Sequence, residues 1–254
     1  EYCDNNNIDI KSINMQTTNL ANATAITLTS KLNNIVVDNV EAAGYDKFTV
    51  LKLINSNNNT IEMKNRLSLK AEDLRVIELT NSSYNTFNLN IINEQTPTTE
   101  KVIVFNDNSN NNMIVDSTII SKVNGAPVVI ENSCNNIISD STITTSAANS
   151  AIVIENSNNN TVYNSTIKAQ SYEGAAIDVI NSADNSIRYN FIVSKTLKGN
   201  DAVVVSEGMT NTIEFNRAAD GKNVTITFDV PESVKALGKI TINANFQNPD
   251  DSWW

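Results

Sequence analysis

Apolar residues recur along this chain on two scales at once. Within short stretches they stand two apart, as Ile26/Leu28, Leu51/Leu53, Ile77/Leu79, Val102/Val104, Val128/Ile130, Ile152/Ile154, Ile177/Val179 and Val203/Val205. Successive strand side chains point to opposite faces, so each pair predicts a half-buried β-strand and not a helix. On the longer scale, one apolar residue follows each asparagine cluster, at Ile8, Ile35, Ile61, Phe87, Ile114, Ile138, Val162, Ile187 and Ile213, in steps of 24 to 27 residues. Five places after most of these comes a second apolar residue, including Val40, Ile92, Ile119, Ile143, Ile167 and Ile192; the third coil shifts by one, to Leu67. A period of this length marks a repeat architecture.

The predicted fold is all-β: a parallel β-helix of about nine coils over residues 1–217, roughly 40 Å of stacked rungs. The repeat fades after Asn216. Val224, Ile226, Phe228 and Val230 then alternate, as do Ile240, Ile242, Ala244 and Phe246, so residues 218–254 read as a two-strand segment. Such a segment serves as a cap, as a cover on the flank, or as the start of an Ig-like module. A first residue that is Glu and not Met reads as a removed leader or a piece of a longer chain.

Asparagine dominates the composition, with 44 of 254 residues. It tolerates the left-handed backbone region and bonds its own backbone, so it suits the corners between strands. Asn55, Asn81, Asn106, Asn132, Asn156 and Asn181 form one equivalent set, and Asn59, Asn85, Asn136, Asn160, Asn185 and Asn211 a second. Stacked about 4.8 Å apart, such amides are expected to form ladders along the axis.

The stretches CNNIISDSTI and NNTVYNSTI carry a resemblance to a known family. They resemble the right-handed parallel β-helix repeat of pectate-lyase-like proteins in its Asn-rich form, over about residues 8–216. That family includes polysaccharide lyases, glycosidases, epimerases and cell-surface adhesins. The Asn-, Ile-, Ser- and Thr-heavy, acidic flavour is most similar to adhesin-like surface proteins of methanogenic archaea. Fold alone does not choose among these activities.

Net charge of −10 and a pI near 4.5 argue against nucleic acid or an anionic membrane surface as partner. No run of 18 apolar residues supplies a transmembrane helix. Cys3 and Cys134 stand about five coils apart, or roughly 24 Å, well beyond disulfide reach of about 7 Å. They are therefore expected to be unpaired within the chain or paired between chains. Sequons fall at Asn22, Asn58, Asn81, Asn159, Asn164 and Asn223 and are glycosylation candidates on a secreted surface.

Function would lie on outward positions and variable loops. The loops EAAGYDKF (41–48), KAQSYEGA (168–175) and VSKTLKGND (193–201) offer Tyr45, Lys47, Tyr172, Glu173, Lys195 and Lys198 for carbohydrate or protein contacts. Between the inward pairs, Ile103, Phe105, Val129, Val153, Ile180 and Val204 are expected to form an outward apolar stripe covered by residues 224–246 or a neighbouring subunit. Asp116 and Asp140 form one stacked carboxylate pair, Glu131 and Glu155 another. Close carboxylates serve hydrolysis or Ca²⁺ binding. The chain contains no histidine, however, and Arg188 is only a loose candidate for an adjacent base. No catalytic residue, metal site or cofactor is assigned. The expectation is a non-catalytic extracellular or cell-surface rod that mediates adhesion, with carbohydrate, a cell-surface protein or copies of itself as partner. The alternatives are a self-assembling subunit of a filament, sheath or surface layer, and a polysaccharide lyase or glycosidase.

Overall fold

The computed structural model describes residues 4–218 except 18–21, 65–67, 94–100, 123–124, 147–149, 171–174, 196 and 208–209. The predicted C-terminal strands, Leu67, Cys3 and Asn223 lie outside the described residues.

From the fifth coil on, each turn threads three short strands separated by two tight corners and a variable connection, while earlier coils merge some of these into longer strands, Val40–Ile54, Ser68–Thr80 and Thr86–Asn93. On the first face nine parallel strands stack in chain order, from Asn7–Ile10 through Asn34–Val37, Thr60–Met63, Thr86–Asn93, Met113–Val115, Ile137–Ser139, Thr161–Tyr163 and Ser186–Arg188 to Thr212–Glu214. The second face continues from the end of Thr86–Asn93 through Thr118–Ser121, Thr142–Thr145, Thr166–Ala169 and Phe191–Val193. On the third face Asn22–Leu28 pairs with the end of Val40–Ile54, and then Ser68–Thr80, Ile103–Asn106, Val128–Glu131, Ile152–Glu155, Ile177–Ile180 and Val203–Ser206 follow. All these pairings are parallel, so the fold is a parallel β-helix.

The interior is a set of aliphatic columns. Ile130, Ile154 and Val179 are direct register neighbours. Ile61, Phe87, Ile114, Ile138, Val162 and Ile187 form a second column in which every side chain is fully buried. In the fourth coil the residue in register with Ile119 is the buried Ile91, and not Ile92. That coil runs as one unbroken strand past the place where later coils insert a corner residue.

One more coil departs from the even spacing. Ile103 and Phe105, expected outside, align with Ile77 and Leu79 on one side and Val128 and Ile130 on the other. Both are fully buried in the core, and Val104 takes the outward place. The corner that follows holds an extra residue, with Asp107 and Asn108 both left-handed (φ 50° and 63°), so Asp107 and not Asn106 occupies the equivalent corner position.

The corners are where the chain's asparagines act. At the first corner a continuous ladder runs through Asn6, Asn33, Asn59, Asn85, Asn112, Asn136, Asn160, Asn185 and Asn211. Each side-chain carbonyl accepts both the backbone N–H and the side-chain amide of the asparagine one coil earlier; Asn112 donates to Asn136 Oδ1 at 2.8 and 3.2 Å. Beside it runs a serine ladder, with the N–H of Ser56, Ser82, Ser109, Ser133 and Ser157 each donating to the hydroxyl of the next. A third ladder turns the second corner through Ser117, Ser141, Ser165, Asn190 and Asn216. These groups are largely shielded from water, and an unpaired buried polar group costs about 1–3 kcal/mol. The other asparagine set is exposed and left-handed, as at Asn55, Asn81, Asn132, Asn156 and Asn181 (φ 44–50°).

Asn136→Ala strips the acceptor from a buried N–H and a buried amide of Asn112, and is expected to cost about 2–4 kcal/mol. At exposed Asn156, alanine is expected to cost about 1–2 kcal/mol, because it has neither the polar side chain that lets asparagine enter the left-handed region nor glycine's freedom there, and glycine close to nothing. Urea unfolding midpoints for the three variants check the ranking; equal losses at both positions would refute the distinction between the two columns.

Candidate functional site

The outer surface of the third face is one aligned column per alternate strand position. Thr27, Lys52, Glu78, Val104, Val129, Val153, Asp178 and Val204 stack in register, coil by coil. The column starts charged, turns apolar, and meets a second carboxyl at Asp178. Two more columns flank its charged end: Asn22, Lys47 and Asp73, and Thr24, Thr49 and Arg75.

Together these columns build a groove of about 180 Å³ lined by Asn22, Ala23, Thr24, Lys47, Thr49, Lys52 and Glu78. Glu78 is the anchor. Its side chain is 8% exposed and takes Lys52 Nζ at 2.8 Å and Arg75 at 3.2 Å. Lys47 stands 4.0 Å from Asp73, and Arg75 Nε lies 3.8 Å from the same carboxylate. Burial pushes the Glu78 carboxyl up, but the Lys52 hydrogen bond and the charges of Arg75, Lys52 and Lys47 outweigh it and hold the group below the usual range. Three cations thus face two carboxylates in a chain of net charge −10. Such a groove can grip a polar ligand through its hydroxyls, its amide and the margins of its ammonium groups.

Asp178 has the opposite character. Burial raises its proton affinity, and a hydrogen bond from the Ser150 hydroxyl offsets only part of that. Glu78 and Asp178 are separated by four rungs, about 19 Å at the spacing of parallel strands. Paired carboxyls of a glycosidase stand about 5–10 Å apart, so these two cannot work on one bond.

The sequence candidates are dispersed. Tyr45 is not on a loop: residues 41–48 belong to the 15-residue strand Val40–Ile54, and the Tyr45 ring is buried against Phe48 at 5.0 Å. Pairing on both sides draws this stretch into the sheet, with a register irregularity between Ala43 and Tyr45. Lys47 does reach the surface, at the groove. Lys195 and Lys198 are exposed beside the short 3₁₀ turn Gly199–Ala202; Tyr172 and Glu173 lie outside the described residues. Of the apolar stripe, Val129 is buried, Val153 and Ile180 are half-buried and Val204 is 38% exposed. Asn22, Asn58, Asn81, Asn159 and Asn164 all present exposed side chains.

The carboxylate pairs have structural partners. Asp116 and Asp140 are left-handed corner residues, and Asn164 Nδ2 donates to Asp140 Oδ1 at 2.6 Å. Glu131 and Glu155 are register neighbours, with Lys101 at 3.2 Å from Glu131. Among the described residues no cluster of three or more Asp, Glu, His or Cys could hold a metal ion. Cys134 is a free thiol that accepts the Asn158 N–H at 3.4 Å.

Sequence reasoning missed the groove. Its members come from three strands in three coils, and only the 26-residue offset that sets Lys47, Thr49 and Lys52 against Asp73, Arg75 and Glu78 hinted at it. It also missed an exposed aromatic row, Tyr163, Tyr189 and Phe215.

No family profile and no curated protein sequence matches the chain. Among solved structures it is similar to the A-module of the mannuronan C-5 epimerase AlgE4 from Azotobacter vinelandii, at 10% identity, over 84% of this chain and 81% of that one, with a TM-score of 0.32. At that identity and score the likeness carries nothing about chemistry. No helix among the described residues is long and apolar enough to cross a membrane.

The two perturbed carboxyls have opposite consequences for stability. Glu78 has its folded pKa lowered, so its contribution is complete above the ordinary glutamate range and is lost as pH falls through the lowered value. Asp178 has its folded pKa raised, so its ionisation cost sets in as pH rises past the unfolded value and is complete above the folded one. Asp178→Asn is therefore expected to raise the urea midpoint at neutral pH and to leave it unchanged well below the carboxylate range. Glu78→Gln is expected to lower it at neutral pH only. The same sign for both variants would refute the assignment.

Proposed function

We propose that this chain is a rod module of an extracellular or cell-surface protein, and that it acts by extended adhesive contact and not by turnover. The observation that carries this reading is the in-register repetition of its surface. Asn81 reaches back to Asn55, Asn181 to Asn156 and Asn164 to Asp140, so similar polar groups recur rung after rung along the corners. A surface with a fixed repeat suits a partner that also repeats, where many weak contacts sum. The ladders beneath it hold those groups in position, which lowers the entropy lost on binding.

Catalysis asks for something different: neighbouring groups with divergent proton affinities. Here the two carboxyls that diverge stand on different rungs, about 19 Å apart. The exposed sequons and the acidic surface accord with an extracellular setting.

Incubating the purified chain with pectin, alginate and polygalacturonate, with and without Ca²⁺, is expected to yield no unsaturated or reducing ends above the buffer rate. Steady release that disappears in the Asp116→Asn, Asp140→Asn double variant, or in Glu78→Gln, would overturn the proposal.

A further inference from the structure

In each of the last five coils, the corner between the first and second faces places one residue in the left-handed region: Asp116, Asp140, Asn164, Tyr189 and Phe215 (φ 46–59°). Aspartate and asparagine enter that region readily. Bulky aromatic residues there are outliers, and such strain persists where something other than local preference selects it. Core burial does not select it here, because Tyr189 is 52% and Phe215 63% exposed. Tyr163, which precedes the corner by one residue in the preceding coil, is 46% exposed. The three rings form one continuous surface. Tyr189 stacks on Phe215 with centroids 5.0 Å apart and planes 10° from parallel, and Tyr163 meets Tyr189 edge-on at 5.7 Å. Leu32 and Tyr84 make a similar exchange at the other corner, but singly, with Asn58 between them.

We propose that the ledge formed by Tyr163, Tyr189 and Phe215 is a binding platform for a neutral polysaccharide lying along the solenoid axis. This rests on the reading of the chain as a polymer-contacting rod and narrows it to one surface and one ligand class. An aromatic face carries negative charge density and is apolar. One face of a pyranose ring presents a patch of weakly positive C–H groups, while its hydroxyls project sideways. The rings turn part of their faces on one another, and their exposed halves supply the apolar patch, with the hydrogen-bonded Asp140 and Asn164 and the pair Arg188 and Glu214 beside it for the hydroxyls. Rings on three consecutive coils suit a chain of sugars better than a single one. Flanking Asp140 and Glu214 and the net charge of −10 disfavour an anionic polymer. A second protein copy is the poorer occupant, since three half-exposed rings offer about 300 Å² against about 800 Å² per partner in a stable interface.

Titration calorimetry of the full chain with cellohexaose, mannohexaose and chitohexaose, with polygalacturonate as the charged comparator, tests this. At least one neutral hexasaccharide is expected to bind saturably and polygalacturonate not to compete. Tyr189→Asn and Phe215→Asn, which restore the residue type the column uses elsewhere, are expected to weaken binding about tenfold or more without lowering the melting temperature. Tyr189→Phe, which keeps the ring, is expected to retain it. The ledge is refuted if none of the three binds, if binding ignores both asparagine variants, or if sedimentation shows a dimer that Tyr189→Asn dissolves. Polymer binding that survives both variants refutes the ledge and leaves the rod reading intact; polymer cleavage refutes the rod reading whatever the ledge does.

Discussion

Each tight corner of a coil interrupts the strand ladder at the very points where the backbone is buried. The N–H groups there have no strand partner, and water does not reach them. A side-chain oxygen from the next coil is what satisfies them, and it can do so only if the coils stack in register. Asn112, Asn136, Asn160 and Asn185 meet that requirement at one corner, Ser133, Ser157 and Ser182 beside them, and Ser117, Ser141 and Ser165 at the other. The amide of asparagine is suited to the first role because one side chain accepts from the coil before and donates to the coil after. The extra residue at Asp107 and Asn108 shows the tolerance of the system. It is absorbed outside the ladder, and Ser109 and Asn112 keep their places in it.

Register at the corners propagates to every other surface. Residues one coil apart are held about 4.8 Å from each other, a distance at which like charges repel and unlike ones attract. The charged end of the third face follows this rule, with Lys47 over Asp73 and Lys52 over Glu78. Glu131 over Glu155 breaks it and has Lys101 alongside the first of them. The aromatic ledge is the same geometry with different side chains: three rings come into contact because their backbones already stack.

Much of this was legible in one dimension. The inward columns, the parallel pairing and the asparagine corners follow from periodicity, because a stacked repeat must copy its core and its buried polar groups at a constant interval. Ile130, Ile154 and Val179 could be predicted as neighbours for that reason. The reading failed where the interval changed. An extra corner residue moved Ile103 and Phe105 from the outer face to the core, since one residue of slip reverses every side chain in a strand. A continuous strand replaced the expected loop around Tyr45, because pairing partners on both sides outweighed the turn signal of its glycine.

The sequence alone therefore determined what repetition determines: fold class, the approximate number of coils, the interior, and the chemistry of the corners. Tertiary structure decided what depends on the meeting of residues that share no pattern. Lys52, Arg75 and Glu78 sit in neighbouring coils but belong to no repeated motif, and Tyr163, Tyr189 and Phe215 are 26 residues apart with a one-residue offset in the first. Only stacking brings such residues together, because their proximity is set by backbone register across coils and not by any local preference of the chain.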